Sequence, residues 1–330
     1  MQPMARPRDY AAEARLLDRR TKLETALASR PSDYLKDLLA EVDSALSRVA
    51  DGTFGICEFC HEPIEADRLT SDPLTRFCID HLTGNERRAL EQDLTMSARI
   101  QAALLPPKHV RCGDWEVSYH YQPAGVMSGD HCDVIATGDS LYFLIGDVSG
   151  KGVAASILMA HLHAMFRSLI AVGVPLGRML VQANRLFCES TMPNSFATLV
   201  CGQATGAGKI EIANAGHCLP LLQRGELMQS LRPGGLPLGL FCDSEYQTEA
   251  LELAPGDQIV LYTDGLSEAR NAVDQEYGAG RVATVVQSSS GAAGSVSALA
   301  RDLAVFRGTT PQSDDVTIMV IRREKADTAA

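Results

Sequence analysis

The stretch "IGDVSGKGVAAS", residues 145–156, decides how this chain is read. It runs from an apolar strand through a glycine-rich turn into an apolar helix, the order found in nucleotide-binding loops. A phosphate-cradling loop of that kind has the spacing G-x-x-x-x-G-K-[ST]. Here three residues separate Gly146 from Gly150, and Gly152 stands where a Mg²⁺-binding hydroxyl belongs. The motif fails on both counts. An acid, Asp147, is left between a buried-looking strand and the turn, and it needs another explanation.

The flanking pattern sets the fold class. "WEVSYHYQPA" (115–124) alternates, "LYFLIGDV" (141–148) reads as a buried strand, and "KIEIANAGH", "CLPLLQ" and "DQIVLYTDG" follow. Two amphipathic stretches, 153–171 and 176–191, interrupt them; Ile157, Leu158, His161, Leu162, Met165, Phe166 and Leu169 share a face of the first. Strands, two helices and strands again predict an α+β sandwich and not a βαβ series.

Acids recur at the strand edges. "SGDHCD" carries Asp130 and Asp133, "GDVSGKG" Asp147, "YTDGLSEA" Asp264 and "SDDVTIMVI" Asp314 and Asp315. One such Asp is ordinarily a turn former. Several together repel unless a cation holds them, and carboxylate, carbonyl and water suit Mg²⁺ or Mn²⁺. On this reading Asp147 bridges two ions, and the glycines let backbone and substrate come close.

Residues 95–323 resemble the SpoIIE/RsbU branch of the PPM (type 2C) metal-dependent protein phosphatases. The matching pieces, in family order, are "IQAALLP", "SGDHCDV", "LIGDVSGKGVAASILMA", "FATLVCG", "IANAGHCLPLL", "GGLPLGL", "LAPGDQIVLYTDGLSEARN" and "SDDVTIMVI". The resemblance implies a β-sandwich flanked by helices and a centre of two Mn²⁺ or Mg²⁺ ions. It assigns Asp147 as the bridging ligand, Val148 as a carbonyl ligand, and Asp130, Asp264 and Asp314 as the acids of the other motifs. Asp315 stands where the wider superfamily often has asparagine. His131-Cys132 replaces the aromatic residues usual in the branch, which bears on packing. Such a centre activates water against phosphorus and needs no Ser, Cys or His nucleophile. His217 in "NAGH" is a candidate acid for the leaving oxygen, set against a loop histidine that only shapes the rim. His161 and His163, two apart on a helix, face different ways and make no metal pair. The implied substrate is a phosphorylated STAS-domain anti-anti-sigma factor in a partner-switching cascade.

The first third reads differently. Leu16, Leu17, Leu23 and Leu27 mark one helix; Leu35, Leu38, Leu39, Val42, Ala45, Leu46 and Val49 mark a second. "SRPSD" (29–33) separates them, with Ser32 or Asp33 as cap, and the pair makes a helical hairpin. Beyond it, Cys57-x-x-Cys60 and Cys78-x-x-His81 have the spacing of a Zn²⁺ site, with Asp80 and His61 close by as rivals for the fourth ligand. Cys57–His61 also reads C-x-x-C-H, the haem-attachment pattern, which normally requires export. Cys112, Cys132, Cys188, Cys201, Cys218 and Cys242 have no ligand spacing and read as small apolar fillers.

"SALSRVADGTFGICEFCHEPIEADRLTSDPLTRFCIDH" resembles the DksA/TraR zinc-finger family, over about residues 33–82. Longer members enter the RNA polymerase secondary channel with an acidic hairpin tip. The turn here, "RPSDYLKD", lacks the D-x-x-D-x-A pattern of that tip. A transcription regulator that binds polymerase through this module, with phosphatase activity secondary, is therefore the second reading.

A connecting helix, 87–107, follows. Leu90, Leu94, Ser97/Ala98, Gln101 and Leu104 form a stripe that is polar in its middle, and Pro106 and Pro107 stop it. It reads either as a surface helix or as a signalling and homodimer helix over 87–105. The expected organisation is 1–86 hairpin plus zinc finger, 87–107 connector, 108–324 phosphatase domain and 325–330 tail. A net charge of −11 argues against nucleic-acid binding as the main task. No continuous apolar run reaches a membrane span, no secretory signal is apparent, and the nine cysteines suit reduced thiols or metal ligands. The expected compartment is the cytoplasm.

Overall fold

The computed structural model describes residues 10–29, 32–81, 84–138, 140–192, 195–232 and 234–324. Arg30 and Pro31 of the expected hairpin turn, and the tail 325–330, lie outside them. Chain contacts divide the protein into Met1–Asp93 and Leu94–Ala330.

In the first unit, α1 (Tyr10–Ser29) and α2 (Asp33–Ala50) pair through Ala12, Leu16, Val42, Ala45 and Val49, with Phe54 closing the cluster. Helical spacing puts these residues on facing stripes, whereas Leu17 points outward, 47% exposed. Ser32 takes the N-cap position with extended backbone but makes no side-chain cap; Asp33 instead accepts from Lys36 Nζ at 2.9 Å. After Gly52 and Gly55, both at positive φ, the chain enters the cysteine region and a short α3 (Ala66–Ser71).

The helix α4 (Gly84–Leu104) contains the division between the units and ends just before Pro106 and Pro107, which offer no N–H to continue it. Then come β1 (His109–Cys112), β2 (Trp115–Gln122), β3 (His131–Thr137), β4 (Ser140–Val148), α5 (Gly152–Ala171), α6 (Leu176–Ser190), β5 (Ala197–Ala204), β6 (Lys209–Ala215), β7 (Leu221–Arg224), β8 (Leu227–Ser230), β9 (Thr248–Glu252), β10 (Gln258–Tyr262), α7 (Asp264–Ser267), α8 (Gly278–Gln287), α9 (Ala292–Arg307) and β11 (Val316–Arg323). One sheet has the order β1-β2-β11-β10-β7-β8 and the other β3-β4-β5-β6-β9, and the pairings between these strands are antiparallel. The fold is α+β, as expected.

Side-chain alternation explains the layers. Leu141, Phe143 and Ile145 of β4 point between the sheets, where they meet Trp115 and Val117 of β2 and Met319 and Ile321 of β11. The opposite face of β4, Leu144 and Val148, packs on Met159, Leu162 and Phe166 of α5 and Met179 and Phe187 of α6. Val260 and Tyr262 of β10 and Ile318 and Val320 of β11 pack on Val282, Val286, Leu299 and Leu303 of α8 and α9. Central strands are thus covered on both faces, which is why "QIVLY" reads as an apolar run and not as an alternation. The helix α5 is long and apolar enough by composition to cross a membrane, but its apolar face is the one that packs on β4.

Candidate metal centres

Strand register assembles the acids. The β3–β4 ladder pairs His131 with Gly146, so the next residues along, Asp130 and Asp147, stand opposite each other. The β10–β11 ladder pairs Tyr262 with Ile318, which puts Asp264 and the Asp314-Asp315 pair at one end of the second sheet. Hydrogen bonds join the two ends across the sandwich: Thr263 Oγ1 donates to Asp130 Oδ2 at 3.0 Å, and Thr317 Oγ1 donates to the same oxygen at 2.5 Å. Asp130, Asp147, Asp264, Asp314 and Asp315 therefore share one edge of the sandwich, next to the Val148 carbonyl.

Glycines make room for this approach. A Cβ on Gly129 would lie 3.1 Å from the Val148 carbonyl oxygen and 3.2 Å from Asp147 Oδ1. A Cβ on Gly265 would collide with the Asp315 carbonyl. Gly265 admits no side chain while the acid-bearing segments stay where they are, and a side chain at Gly129 would push on Val148 and Asp147 by a few tenths of an ångström.

The electrostatics follow from crowding. Burial, and then Asp264, Asp314 and Asp315, push the Asp147 carboxyl up to about 7. Burial raises Asp130 well above the usual carboxylate range, with Asp147 and Asp315 adding to it and the two threonine hydroxyls opposing it. Asp264 is raised by burial and by Asp314. These are hard oxygen donors on strand ends and a turn, set with a backbone carbonyl, and they fit Mg²⁺ or Mn²⁺.

The remaining groups have separate duties. Asp315 accepts the Ala124 N–H at 2.7 Å through Oδ1 and the Gly129 N–H at 2.8 Å through Oδ2, so it tethers the loop between β2 and β3. Asp314 Oδ2 accepts from Lys151 Nζ at 2.9 Å, and Lys151 also donates to the Ser313 carbonyl at 3.0 Å. Asp133 does not join the acids. It is buried on β3, accepting two hydrogen bonds from Arg167 at 2.8 and 2.9 Å, with His163 Nδ1 at 3.4 Å. His161 turns away from His163, to Ser190 Oγ at 2.9 Å.

His217 is only 7% exposed and is not a rim residue. Its Nδ1 lies 2.8 Å from Thr198 Oγ1, and Thr198 is the β5 partner of Asp147. The side chain of Asn214 holds both its N–H and its carbonyl. Burial, opposed by a backbone hydrogen bond at Tyr262, pushes its pKa down to about 4, so the imidazole is neutral near pH 7.

In the first unit, Cys57, Cys60, Cys78 and His81 offer ligand atoms that all lie within 4.8 Å of one another. Cys78 Sγ is 3.1 Å from His81 Nδ1 and 3.7 Å from Cys60 Sγ. His61 is exposed, at positive φ, outside this group, as is the exposed Asp80. Burial would raise the Cys57 thiol, but hydrogen bonds from the backbone at Cys60, Cys78 and Phe59 outweigh it and bring the pKa down to about 6. Burial and the neighbouring thiols push Cys78 the other way, up to about 11, so it is Cys57 whose thiolate is favoured; the compact S₃N donor set fits Zn²⁺. The Phe59 ring stacks on His81 with centroids 4.5 Å apart and orients it. Among the other cysteines, Cys132 and Cys201 are buried fillers, but Cys242 is exposed and fills nothing.

Sequence reasoning missed the supporting groups: Thr263 and Thr317 on Asp130, the Asp133–Arg167 pair, and the Lys151–Asp314 contact. All join residues far apart in the chain, and no local pattern encodes them. Gln101 did leave a signal, as the polar residue inside the apolar stripe of α4. It is buried, and its amide holds both the N–H and the carbonyl of Ser128.

The chain is similar to "Phosphoserine phosphatase RsbU" of Bacillus subtilis (strain 168), 27% identical over 187 residues, or 56% of this chain and 56% of that protein. It therefore spans little more than half the length of that relative. Among solved structures, the RsbU and RsbW domains of Rv1364c from Mycobacterium tuberculosis match with a TM-score of 0.56 at 28% identity, covering 66% of this chain and 62% of that one. The N-terminal segment is similar to "RNA polymerase-binding transcription factor DksA" of Caulobacter vibrioides (strain NA1000 / CB15N), 37% identical over 76 residues, 23% of this chain and 54% of that protein. Residues 137–324, which include Asp147, Asp264 and Asp314, match the family model of stage II sporulation protein E. More than half of the sequence is covered by that match, and the chain belongs to the SpoIIE family.

Proposed function

We propose that this chain is a metal-dependent protein phosphatase acting on phosphoserine or phosphothreonine. The observation that carries the reading is the gathering of Asp130, Asp147, Asp264 and Asp314 at one sandwich edge, with Asp147 held up at about 7. Carboxylates in that state gain most from hard divalent cations. Asp130, Asp147, Asp264, Asp314 and the Val148 carbonyl would hold two Mn²⁺ or Mg²⁺, Asp147 reaching both. When bound, the cations supply water activation and charge neutralisation at phosphorus. The chain supplies placement. Thr263 and Thr317 orient Asp130, and Asp315 holds Gly129 and Ala124 in position beside it. The neutral, buried His217 acts through Thr198 behind Asp147, which suits a positioning residue and not the acid for the leaving oxygen.

Cys57, Cys60, Cys78 and His81 would hold one structural Zn²⁺, making residues 1–86 a regulatory module joined through residues 87–107 to a phosphatase domain at 108–324. The substrate is a phosphorylated STAS-domain anti-anti-sigma factor in the cytoplasm, a reading supported by the similarity to phosphoserine phosphatase RsbU. Helix 87–105 is the candidate homodimer and signalling element. The test is phosphate release from phosphorylated STAS-domain proteins of the same cell with Mn²⁺ present. Release that chelation abolishes is expected; no release from any of them would contradict the substrate assignment.

A second reading, transcription control through RNA polymerase, is favoured by the similarity to DksA. The missing acidic tip pattern in "RPSDYLKD" weighs against it. Polymerase retained on the full-length protein, and lost with Cys57→Ala, would support this second reading.

A further inference from the structure

The loop between Gln122 and His131 carries Asp130, yet it belongs to neither sheet. Other contacts must hold it. On one side Asp315 accepts the N–H groups of Ala124 and Gly129. On the other side stands Gln101, three residues before the end of α4 and 7% exposed. Its Nε2 donates to the Ser128 carbonyl at 2.7 Å, and its Oε1 accepts the Ser128 N–H at 3.0 Å. The Ser128 hydroxyl in turn accepts the Asp130 N–H at 3.1 Å. A continuous set of hydrogen bonds thus runs from α4 to the backbone of Asp130.

We infer that Gln101 is a positioning residue for the metal centre, fixing the Asp130 loop from α4 through Ser128. The inference rests on the proposed assignment of Asp130 as a metal ligand. Its chemistry explains the residue type. Ser128 presents one donor and one acceptor side by side, both buried. A primary carboxamide satisfies the two at once; a carboxylate would set one acceptor against another at the carbonyl, and an alkyl chain would leave both groups unpaired. It also explains why an apolar helical stripe is broken at this position. Gln101 lies in the last turns of α4, so a shift or rotation there moves the groups that hold Ser128.

The test uses the full-length protein with Gln101→Leu and Gln101→Glu, and reads Mn²⁺ affinity by calorimetry. Groups that orient metal ligands typically contribute about tenfold to a hundredfold in metal affinity, and a loss in that range is expected for both variants. Turnover of a phosphoserine peptide should recover most of its value at saturating Mn²⁺, separating positioning from direct catalysis. Hydrogen exchange supplies a readout that needs no metal: the Ser128 and Asp130 amides should exchange faster in both variants, while β10 and β11 stay protected. Wild-type Mn²⁺ binding with unchanged affinity and unchanged exchange in Gln101→Leu overturns this inference alone. No Mn²⁺ binding by the wild type overturns the metal assignment, and this inference with it.

Discussion

Asp130 and Asp147 face each other one step beyond the His131–Gly146 pair, where β3 and β4 emerge at the edge of the sandwich. Burial, and then Asp264, Asp314 and Asp315, hold the Asp147 carboxyl up, and this has a thermodynamic signature. The folded-state value for Asp147, about 7, lies above its ordinary value of 3.8. Folding therefore takes up protons between those two values, and the metal-free protein loses stability as pH rises through that window. Buried His217, lowered to about 4, contributes stability that rises with pH over part of the same window, so the Asp147 effect is read by difference: in a chelating buffer, wild-type stability minus that of Asp147→Asn should fall between about pH 5 and about pH 8. Asp147→Asn should flatten that slope and stabilise the metal-free protein at the higher pH by on the order of 1 kcal/mol, after allowing for solvent screening. Added Mn²⁺ should stabilise the wild type more at the higher pH, because protons compete with the cation. A wild-type-minus-variant difference that does not fall with pH in chelator would contradict the raised Asp147 carboxyl.

Much of this arrangement could be read from the chain, and the limits have physical causes. Asp147 and Asp264 stand at strand ends next to glycines, and Asp314 stands just before the last strand, so local pattern marks them. The α+β sandwich followed from strand runs broken by two amphipathic helices. What pattern could not reach were contacts set by tertiary closure: Thr263 just after β10 and Thr317 of β11, which serve Asp130, the tether from Asp315, and Arg167 on Asp133. His217 looked like a rim residue because its motif sits in a loop; the Asn214 side chain folds that loop inward. Asp133 looked equivalent to Asp130 because both follow Gly129, but strand alternation and Arg167 take it elsewhere.

Packing between the sheets gives a sharp test. Phe143 on β4 pairs with Gly202 on β5, and its ring covers the position a Cβ would occupy. Gly202→Ala should force the ring off its rotamer and cost about 1–3 kcal/mol by overpacking. Denaturant unfolding measures it. A neutral or stabilising effect would mean the ring is free to move.

Zinc should order the cysteine module. Cys57→Ala removes a ligand at neutral pH and should lower bound zinc from roughly one per chain to near zero. Hydrogen exchange should then accelerate over about residues 50–81, with the strands of the sandwich still protected. Full zinc content in this variant would contradict the ligand set, and covalently attached haem would overturn it.

The helix over 87–105 separates a tether from a switch. Inserting two glycines at Thr95 costs about 1 kcal/mol each in helix propensity and shifts the helical phase of the following turns, including Gln101. A switch predicts a several-fold change in turnover, within the roughly 5- to 150-fold range of coupled sites. A tether predicts unchanged turnover with the fold intact.

The central claim is that the acids at the sandwich edge form a two-cation hydrolytic centre with Asp147 at its middle. The direct measurement is Mn²⁺-dependent phosphate release from a phosphoserine protein substrate, wild type against Asp147→Ala, with circular dichroism confirming that both are folded. The account predicts robust release by the wild type and a loss of at least about a thousandfold in the variant, since a ligand to both ions is removed. Near-normal Mn²⁺-dependent turnover by a folded Asp147→Ala would contradict it.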